Sequence, residues 1–285
     1  MGRFSTIPIY YILVFCLFFG CADSNKHGYN VKYFDAETDL EITQEQVRNK
    51  KHYQSYFNEN GDEVERYYFN RTGELDFCFL EVSKIEYVYD TRGNMISESY
   101  FGKKGDTEID TDGIHRQTFE YDTRNNLIAV DYFDKNGDGT LPTSGTYRDV
   151  HRIEYKYDIN DNRTAEVFFG LSNGPTNNFL GYHRTVTEYE YIAGEFRRMS
   201  TSYYNLDNTP GTNGYGIFCF ENDYNDEGRL ISRGSFDENG VAVNNEDLIH
   251  MYEYYYDEDG KLIEEFAYGK NGDQVWHRKI DNNES

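Results

Sequence analysis

A ten-residue pattern, Tyr-x-Tyr-Asp-x-x-Gly-Asn-x-Ile, returns along this chain at nearly constant spacing, and this recurrence constrains the fold more than any other feature. Its clearest copy is Tyr87-Val88-Tyr89-Asp90-Thr91-Arg92-Gly93-Asn94-Met95-Ile96. Related copies begin Phe119-Glu120-Tyr121-Asp122, Tyr155-Lys156-Tyr157-Asp158, Tyr224-Asn225-Asp226-Glu227-Gly228 and Tyr254-Tyr255-Tyr256-Asp257, with a degenerate one around Tyr189-Glu190-Tyr191. Anchors at 89, 121, 157, 189 or 191, 224 and 256 make six copies with a period of 32 to 36 residues. A unit this small cannot bury its apolar face alone and has to stack on its neighbours.

Each copy carries a second half in which a Tyr or Phe pair meets a turn, as in Tyr100-Phe101-Gly102, Tyr132-Phe133-Asp134-Lys135-Asn136-Gly137 and Ser235-Phe236-Asp237-Glu238-Asn239-Gly240. The unit therefore reads as strand, tight turn, strand, longer loop. Upstream, Tyr56-Phe57-Asn58-Glu59-Asn60-Gly61 and Tyr68-Phe69-Asn70-Arg71-Thr72-Gly73 read as a shorter hairpin rhythm leading into the repeats. Gly93 falls where a type I turn plus bulge needs a left-handed residue, so Asp90 is expected opposite Asn94 and Tyr89 beside Met95. Alternation then puts His115, Gln117, Phe119, Tyr121, Leu127, Ala129 and Phe133 on one face, with Arg116, Thr118, Glu120 and Asp122 on the other. In the next copy Ile153, Tyr155 and Tyr157 are expected inward, and Arg152, Glu154 and Lys156 outward. With 28 Tyr and 20 Phe, aromatic rings rather than Leu or Val supply the core, and an aromatic share of 17% excludes a disordered acidic tail. The expected fold is all-β, with repeated antiparallel β-hairpins forming an extended meander or open solenoid-like sheet over residues 51–280.

The Tyr-x-Tyr-Asp-x-x-Gly-Arg/Asn/Lys-Leu/Met-Ile units, best at 87–96 and 254–263, resemble the tyrosine-aspartate (YD, or Rhs-type) repeats of bacterial envelope and secreted proteins. The resemblance touches most of residues 85–275 in pieces and implies strand-turn-strand sheets serving as carriers, adhesins or casings. The spacing here is longer than that family's usual unit, and six copies are few for a closed shell. A similar hairpin grammar occurs in MORN-like repeats.

At the N-terminus, Arg3 precedes an apolar run from Ile7 to Phe19 that is too short to span a bilayer as a stable helix and reads as a secretory signal over 1–20. The run ends Leu17-Phe18-Phe19-Gly20-Cys21, which resembles the lipobox of bacterial lipoproteins and implies acylation at Cys21. Residues 21–50 are expected to form a lipid-anchored linker, with a short helix over about 44–52 suggested by the capping-box pattern Thr43-Gln44-Glu45-Gln46, and 281–285 a polar tail. Beyond Cys16 and Cys21 there remain Cys78 and Cys219, each in a Phe-Cys-Phe triplet read as strand. Two cysteines make no disulfide framework, and a buried small hydrophobe is the simpler reading than a bridge.

Candidate chemistry is sparse. Asp134, Asn136 and Asp138 in Asp134-Lys135-Asn136-Gly137-Asp138-Gly139 match the opening of a calcium loop, but Gly145 stands where a bidentate Glu is expected, so plain hairpin turns are the preferred reading. His115, His151, His183 and His250 each lie six residues before a motif Tyr and form a column, better explained by packing than by metal. Carboxylates are so numerous, at 51, that a pair at the separation a glycosidase needs carries no information. Nucleotide, zinc-protease and serine-hydrolase fingerprints do not occur, and a net charge of -23 argues against nucleic acid as a partner. The chain is expected to be a non-enzymatic envelope lipoprotein without a cofactor, held to a membrane by its anchor and binding protein or glycan through its Tyr-rich surface or through loops 170–181 and 205–216. The alternatives are an envelope hydrolase using paired carboxylates and a calcium-dependent adhesion module.

Overall fold

The computed structural model describes residues 29–145 and 147–280, so the segment read as a secretory signal, Cys21 and the 281–285 tail lie outside the described residues. Its regular structure is strand throughout. The strands are β1 (Asn30–Asp35), β2 (Glu41–Ile42), β3 (His52–Phe57), β4 (Glu63–Phe69), β5 (Lys84–Tyr89), β6 (Met95–Phe101), β7 (Arg116–Tyr121), β8 (Leu127–Phe133) and β9 (Arg152–Tyr157). They continue as β10 (Arg163–Phe169), β11 (Arg184–Ile192), β12 (Glu195–Tyr204), β13 (Cys219–Tyr224), β14 (Leu230–Phe236), β15 (Met251–Tyr256), β16 (Leu262–Tyr268) and β17 (Gln274–Lys279). All belong to one antiparallel sheet of consecutive hairpins, in which β1 pairs with both β2 and β3 and each later strand pairs with the next. The sheet is open, as the repeat pattern implies.

The period has a local origin. A six-residue strand, a five-residue turn, a seven-residue strand and a connection from 102 to 115 together complete 32 residues, and most units repeat that plan. The unit holding β7 and β8 has a longer connection, 134–151, and the β11–β12 hairpin lengthens both strands around a two-residue turn at Ala193 and Gly194. In the ordinary turn the Asp90 carboxylate does the closing. Its Oδ1 accepts the Arg92 and Asn94 amides at 2.8 and 2.9 Å, and its Oδ2 accepts the Asn94 side-chain amide at 3.0 Å. Gly93 takes φ 84°, and Tyr89 pairs with Met95, both as the turn chemistry requires.

That same turn overturns part of the expected face. The register slips between Glu120 and Tyr121, which oppose Ala129 and Leu127, so one residue of β8 is bulged and the alternation changes phase. Val130 and Tyr132, opposite Phe119 and Gln117, therefore join the inner face with Leu127. Ala129 and Phe133, expected inward, stand opposite Glu120 and Arg116, and the Arg116 guanidinium lies 4.6 Å over the Phe133 ring. The hairpin β3–β4 is likewise a whole first repeat rather than a shorter prelude, since 58–62 forms the same Asx-closed turn through Asn58. The anticipated helix over 44–52 is not formed. Residues 44–49 are turns, Asn49 adopts φ 60°, and His52 already belongs to β3. Gln46 Oε1 does accept the Thr43 amide at 2.8 Å, half of a capping box, but a segment so short cannot offset the cost of helix nucleation, and most of its residues are exposed. The sheet also begins earlier than residue 51, with β1 and β2 inside the segment read as linker.

The connections fold back over one end of the inner face. Glu108, Thr140 and Thr176 donate to the carbonyls of Tyr100, Tyr132 and Phe168 at 3.1, 2.9 and 3.0 Å, and a second Asx turn, such as that from Asp110 to Ile114, then feeds the next strand. This places Val82, Ile114, Val150 and Tyr182 beneath the loops against Tyr100, Tyr132, Ile153, Tyr155 and Phe168, a continuous buried cluster. The cluster is mixed rather than aromatic as composition implied: Tyr100, Tyr132, Tyr155, Phe168 and Tyr182 pack with Val82, Ile85, Ile114, Val130, Val150 and Ile153, because connections and strands alike contribute small aliphatic side chains that fill the space between rings.

Candidate functional site

The motif side chains are used in joining repeats. The hydroxyls of Tyr157, Tyr189, Tyr224 and Tyr256 donate to the carbonyls of Leu127, Arg163, Arg198 and Leu230 at 2.9, 3.1, 3.1 and 2.8 Å. Those acceptors lie beside the bulges, where the ladder within each hairpin is interrupted, so each motif Tyr satisfies a carbonyl of the preceding unit. Along the turn edge, Arg92 and Arg124 reach the carbonyls of Asp122 and Asp158 at 2.7 and 3.0 Å, and Asn126 Nδ2 reaches Asp161 Oδ1 at 2.7 Å. Tyrosine, aspartate and the turn Arg or Asn thus serve architecture.

The calcium-like segment follows the same geometry. Asp134 Oδ1 accepts the amides of Asn136 and Asp138 at 2.8 and 3.0 Å, and Asn136 Nδ2 donates to its Oδ2 at 3.2 Å. Burial alone would raise the Asp134 carboxyl, but these hydrogen bonds together hold it below the usual range. Asp90, with the Asn94 side chain as its main partner, is lowered to about 2. Among the described residues no group of three or more His, Cys, Asp or Glu could hold a metal ion. The histidine column has packing roles. His115 and His183 donate Nδ1–H to the carbonyls of Glu108 and Thr176, both at 2.9 Å, while the rings meet Phe101 and Phe169 edge-on. Phe218 takes the equivalent place against Tyr204.

Among the described residues three carboxyls stand above their ordinary values. Burial raises Glu98, on the inner face beside Tyr100, and Asp110, whose turn amides only partly offset it. Asp131 on the outer face is also raised by burial, against the opposing field of Arg152, which contacts it at 2.6 Å and Glu120 at 2.8 Å. Arg152 was expected simply to point outward; it does, yet it is three-quarters covered within this network. Cys219 begins β13 and is buried, its thiol pushed up by burial. Cys78 is not on a strand. It takes the turn place held by Asp110, Asn178, Asn213 and Asn245 in other copies, and its Sγ receives the Leu80 amide at 3.4 Å. Both thiols are free.

Exposed apolar side chains occur on strands and hairpin turns, such as Val88, Ile159 and Tyr191, and also in the connections. Phe79, Leu171, Phe179, Leu206, Tyr215 and Leu248 are exposed there, with Phe79 at 84% and Leu248 at 67%. Leu248 also sits at φ 64°, at a turn place held by Gly113, Gly181 and Gly216 in three other copies and by the polar Glu81 and Asp149 in two more. Only exposure, and at Leu248 backbone strain, could have revealed these residues, and neither is visible as a motif.

No protein-family model matches the chain, and no curated protein matches it. Among solved structures it aligns with the Photorhabdus luminescens Tc holotoxin pore, at 12% identity and a TM-score of 0.39 over 78% of this chain and 10% of that one. It also aligns with a TcdB2–TccC3–Cdc42 structure, at 11% identity and a TM-score of 0.32 over 77% of this chain and 12% of that one. The chain spans about a tenth of the length of these proteins.

Proposed function

We propose that this chain is a non-enzymatic binding scaffold of the bacterial cell envelope, anchored through Cys21, whose repeated connections present an apolar row to a protein or glycan partner. The observation that carries the reading is Leu248, a bulky residue in left-handed backbone with its side chain in water. Other copies place glycine or a polar residue there, so a large apolar side chain left in water supports a contact made outside the chain. Phe179 and Tyr215, in the loops at 170–181 and 205–216 named above as candidate contacts, are also exposed. Because their side chains are outside the core, Phe179→Ser, Tyr215→Ser and Leu248→Ser can be combined with little loss of folding. The test immobilises the mature protein, the triple variant and Cys21→Ser on a surface and measures retention of purified envelope glycans and envelope proteins. Wild type and Cys21→Ser should retain a ligand that the triple variant loses, while Cys21→Ser alone leaves the membrane fraction in cells. Equal retention by the triple variant would remove the loop edge from consideration.

A further inference from the structure

Where β1, β3, β4 and the first connection meet, the surface encloses a hollow of about 360 Å³. Its walls are rings: Tyr53, Tyr68, Phe69, Phe77 and Phe79 line it, with the Cys78 thiol between the last two. Tyr53 and Tyr68 meet at 5.7 Å, and His52 stacks on Phe69 at 5.1 Å, so the inner wall is fixed by packing. The outer wall is different: Phe77 is 49% exposed with the Lys103 ammonium 4.6 Å over its ring, and Phe79 is 84% exposed beside the concavity.

The polar lining is already neutralised within the protein. Glu37 pairs with Arg71 at 3.2 Å, Asp76 with Lys103 at 2.9 Å, and Arg66 with Glu63 at 2.7 Å. Asp39 accepts the Tyr53 hydroxyl, and Lys51, the remaining charged lining residue, offers the opposite charge at the exposed rim. An ammonium ligand would want uncompensated carboxylates, and an anion an uncompensated guanidinium. Neither is offered. What remains is a ring-walled space with carboxylate acceptors and guanidinium donors at its rim, at the small end of the range for ligand sites. A neutral pyranose fits that chemistry, laying its C–H face on an aromatic ring and turning its hydroxyls to Asp39, Asp76 and Arg66.

We propose that the hollow between β1, β3, β4 and the loop at 76–79 binds a neutral pyranose, with Phe79 as the stacking platform. This rests on the binding-scaffold reading but adds a site away from the Phe179, Tyr215 and Leu248 edge. Cys78 makes it measurable. The rate of iodoacetamide alkylation at Cys78 in the full chain, followed by peptide mass spectrometry, should fall several-fold in at least one of glucose, galactose, mannose and N-acetylglucosamine at high millimolar concentration. Choline and acetate should give no such protection, and Phe79→Ala should abolish it. Phe79 is nearly all in solvent, so its removal leaves the fold intact, and Phe77→Ala provides a second variant from the same wall. The proposal is overturned if none of the four sugars protects, if choline or acetate protects as well, or if protection survives in both variants. Protection that persists in the Phe179→Ser, Tyr215→Ser, Leu248→Ser variant while that protein loses its envelope ligand would separate failure of one site from failure of the other.

Discussion

At the residue scale, identical carboxylates serve opposite ends according to their surroundings. Asp90 is half-buried and accepts four hydrogen bonds, with the Asn94 side chain foremost, so its carboxyl is lowered to about 2. A depressed folded value means that its stabilisation is complete above the unfolded pKa of roughly 3.9 and disappears as pH falls toward 2. Glu98 has the reverse linkage. Burial raises its carboxyl, so the protonated form favours folding at low pH and that advantage is lost as pH rises through the folded value. Thermal melts of Asp90→Asn should show a deficit near neutrality that closes toward pH 2, whereas Glu98→Gln should melt higher than wild type near pH 7 and converge with it below about pH 4. Parallel curves for either variant would show that the charge is not the cause. Backbone strain gives another expectation: Leu248→Gly relieves φ 64° on a side chain with little packing, and should stabilise by about 1 kcal/mol in denaturant melts. No gain would mean that the loop relaxes around Leu248 at no cost.

At the element scale, the hairpin was legible because Asp, Gly and the Tyr pair each have one job in a turn with a bulge. Strand, turn and strand all follow from Tyr87 to Phe101. The bulge itself was legible too, yet its consequence for Ala129 and Phe133 requires counting two residues against one across the ladder, which simple alternation does not do. The first repeat was hidden because Phe57-Asn58 replaces Tyr-Asp; Asn58 can still accept both turn amides, but Phe57 has no hydroxyl. The hydroxyl bond is long-range, and no local pattern announces it. Tyr157→Phe should cost about 1 kcal/mol through the orphaned Leu127 carbonyl, and Tyr157→Ala about 3 kcal/mol or more as packing is also lost. Equal effects would assign the whole contribution to the ring. The charged face carries a parallel lesson. Arg152→Ala leaves Asp131 buried without its guanidinium and should cost about 2 kcal/mol, with part of that recovered in Arg152→Ala/Asp131→Asn. Additive single effects would deny the coupling.

At the scale of the whole molecule, the sheet is a one-dimensional array whose units touch mainly their neighbours, so stability need not be uniform along it. The buried cluster runs from Val82 through Ile153 and Phe168 to Tyr182, within β5 to β10 and their connections. Beyond it the inner face turns polar: Thr187 faces Thr201, Asn222 Oδ1 accepts Arg233 Nε at 2.8 Å, and Glu265 accepts Arg278. Polar contacts of that kind replace water contacts with little net gain, whereas aromatic burial removes apolar area from water. Net charge adds to the contrast by repelling units from one another, an effect that salt screens. Hydrogen exchange followed by mass spectrometry should therefore find β7 to β10 slowest and β15 to β17 opening at much lower free energy. Added salt should slow exchange in the acidic turns around 226 and 258 more than in the β7–β10 core. A single protection free energy along the whole chain would show that the array folds as one cooperative block, and that the polar C-terminal face contributes as much as the aromatic one.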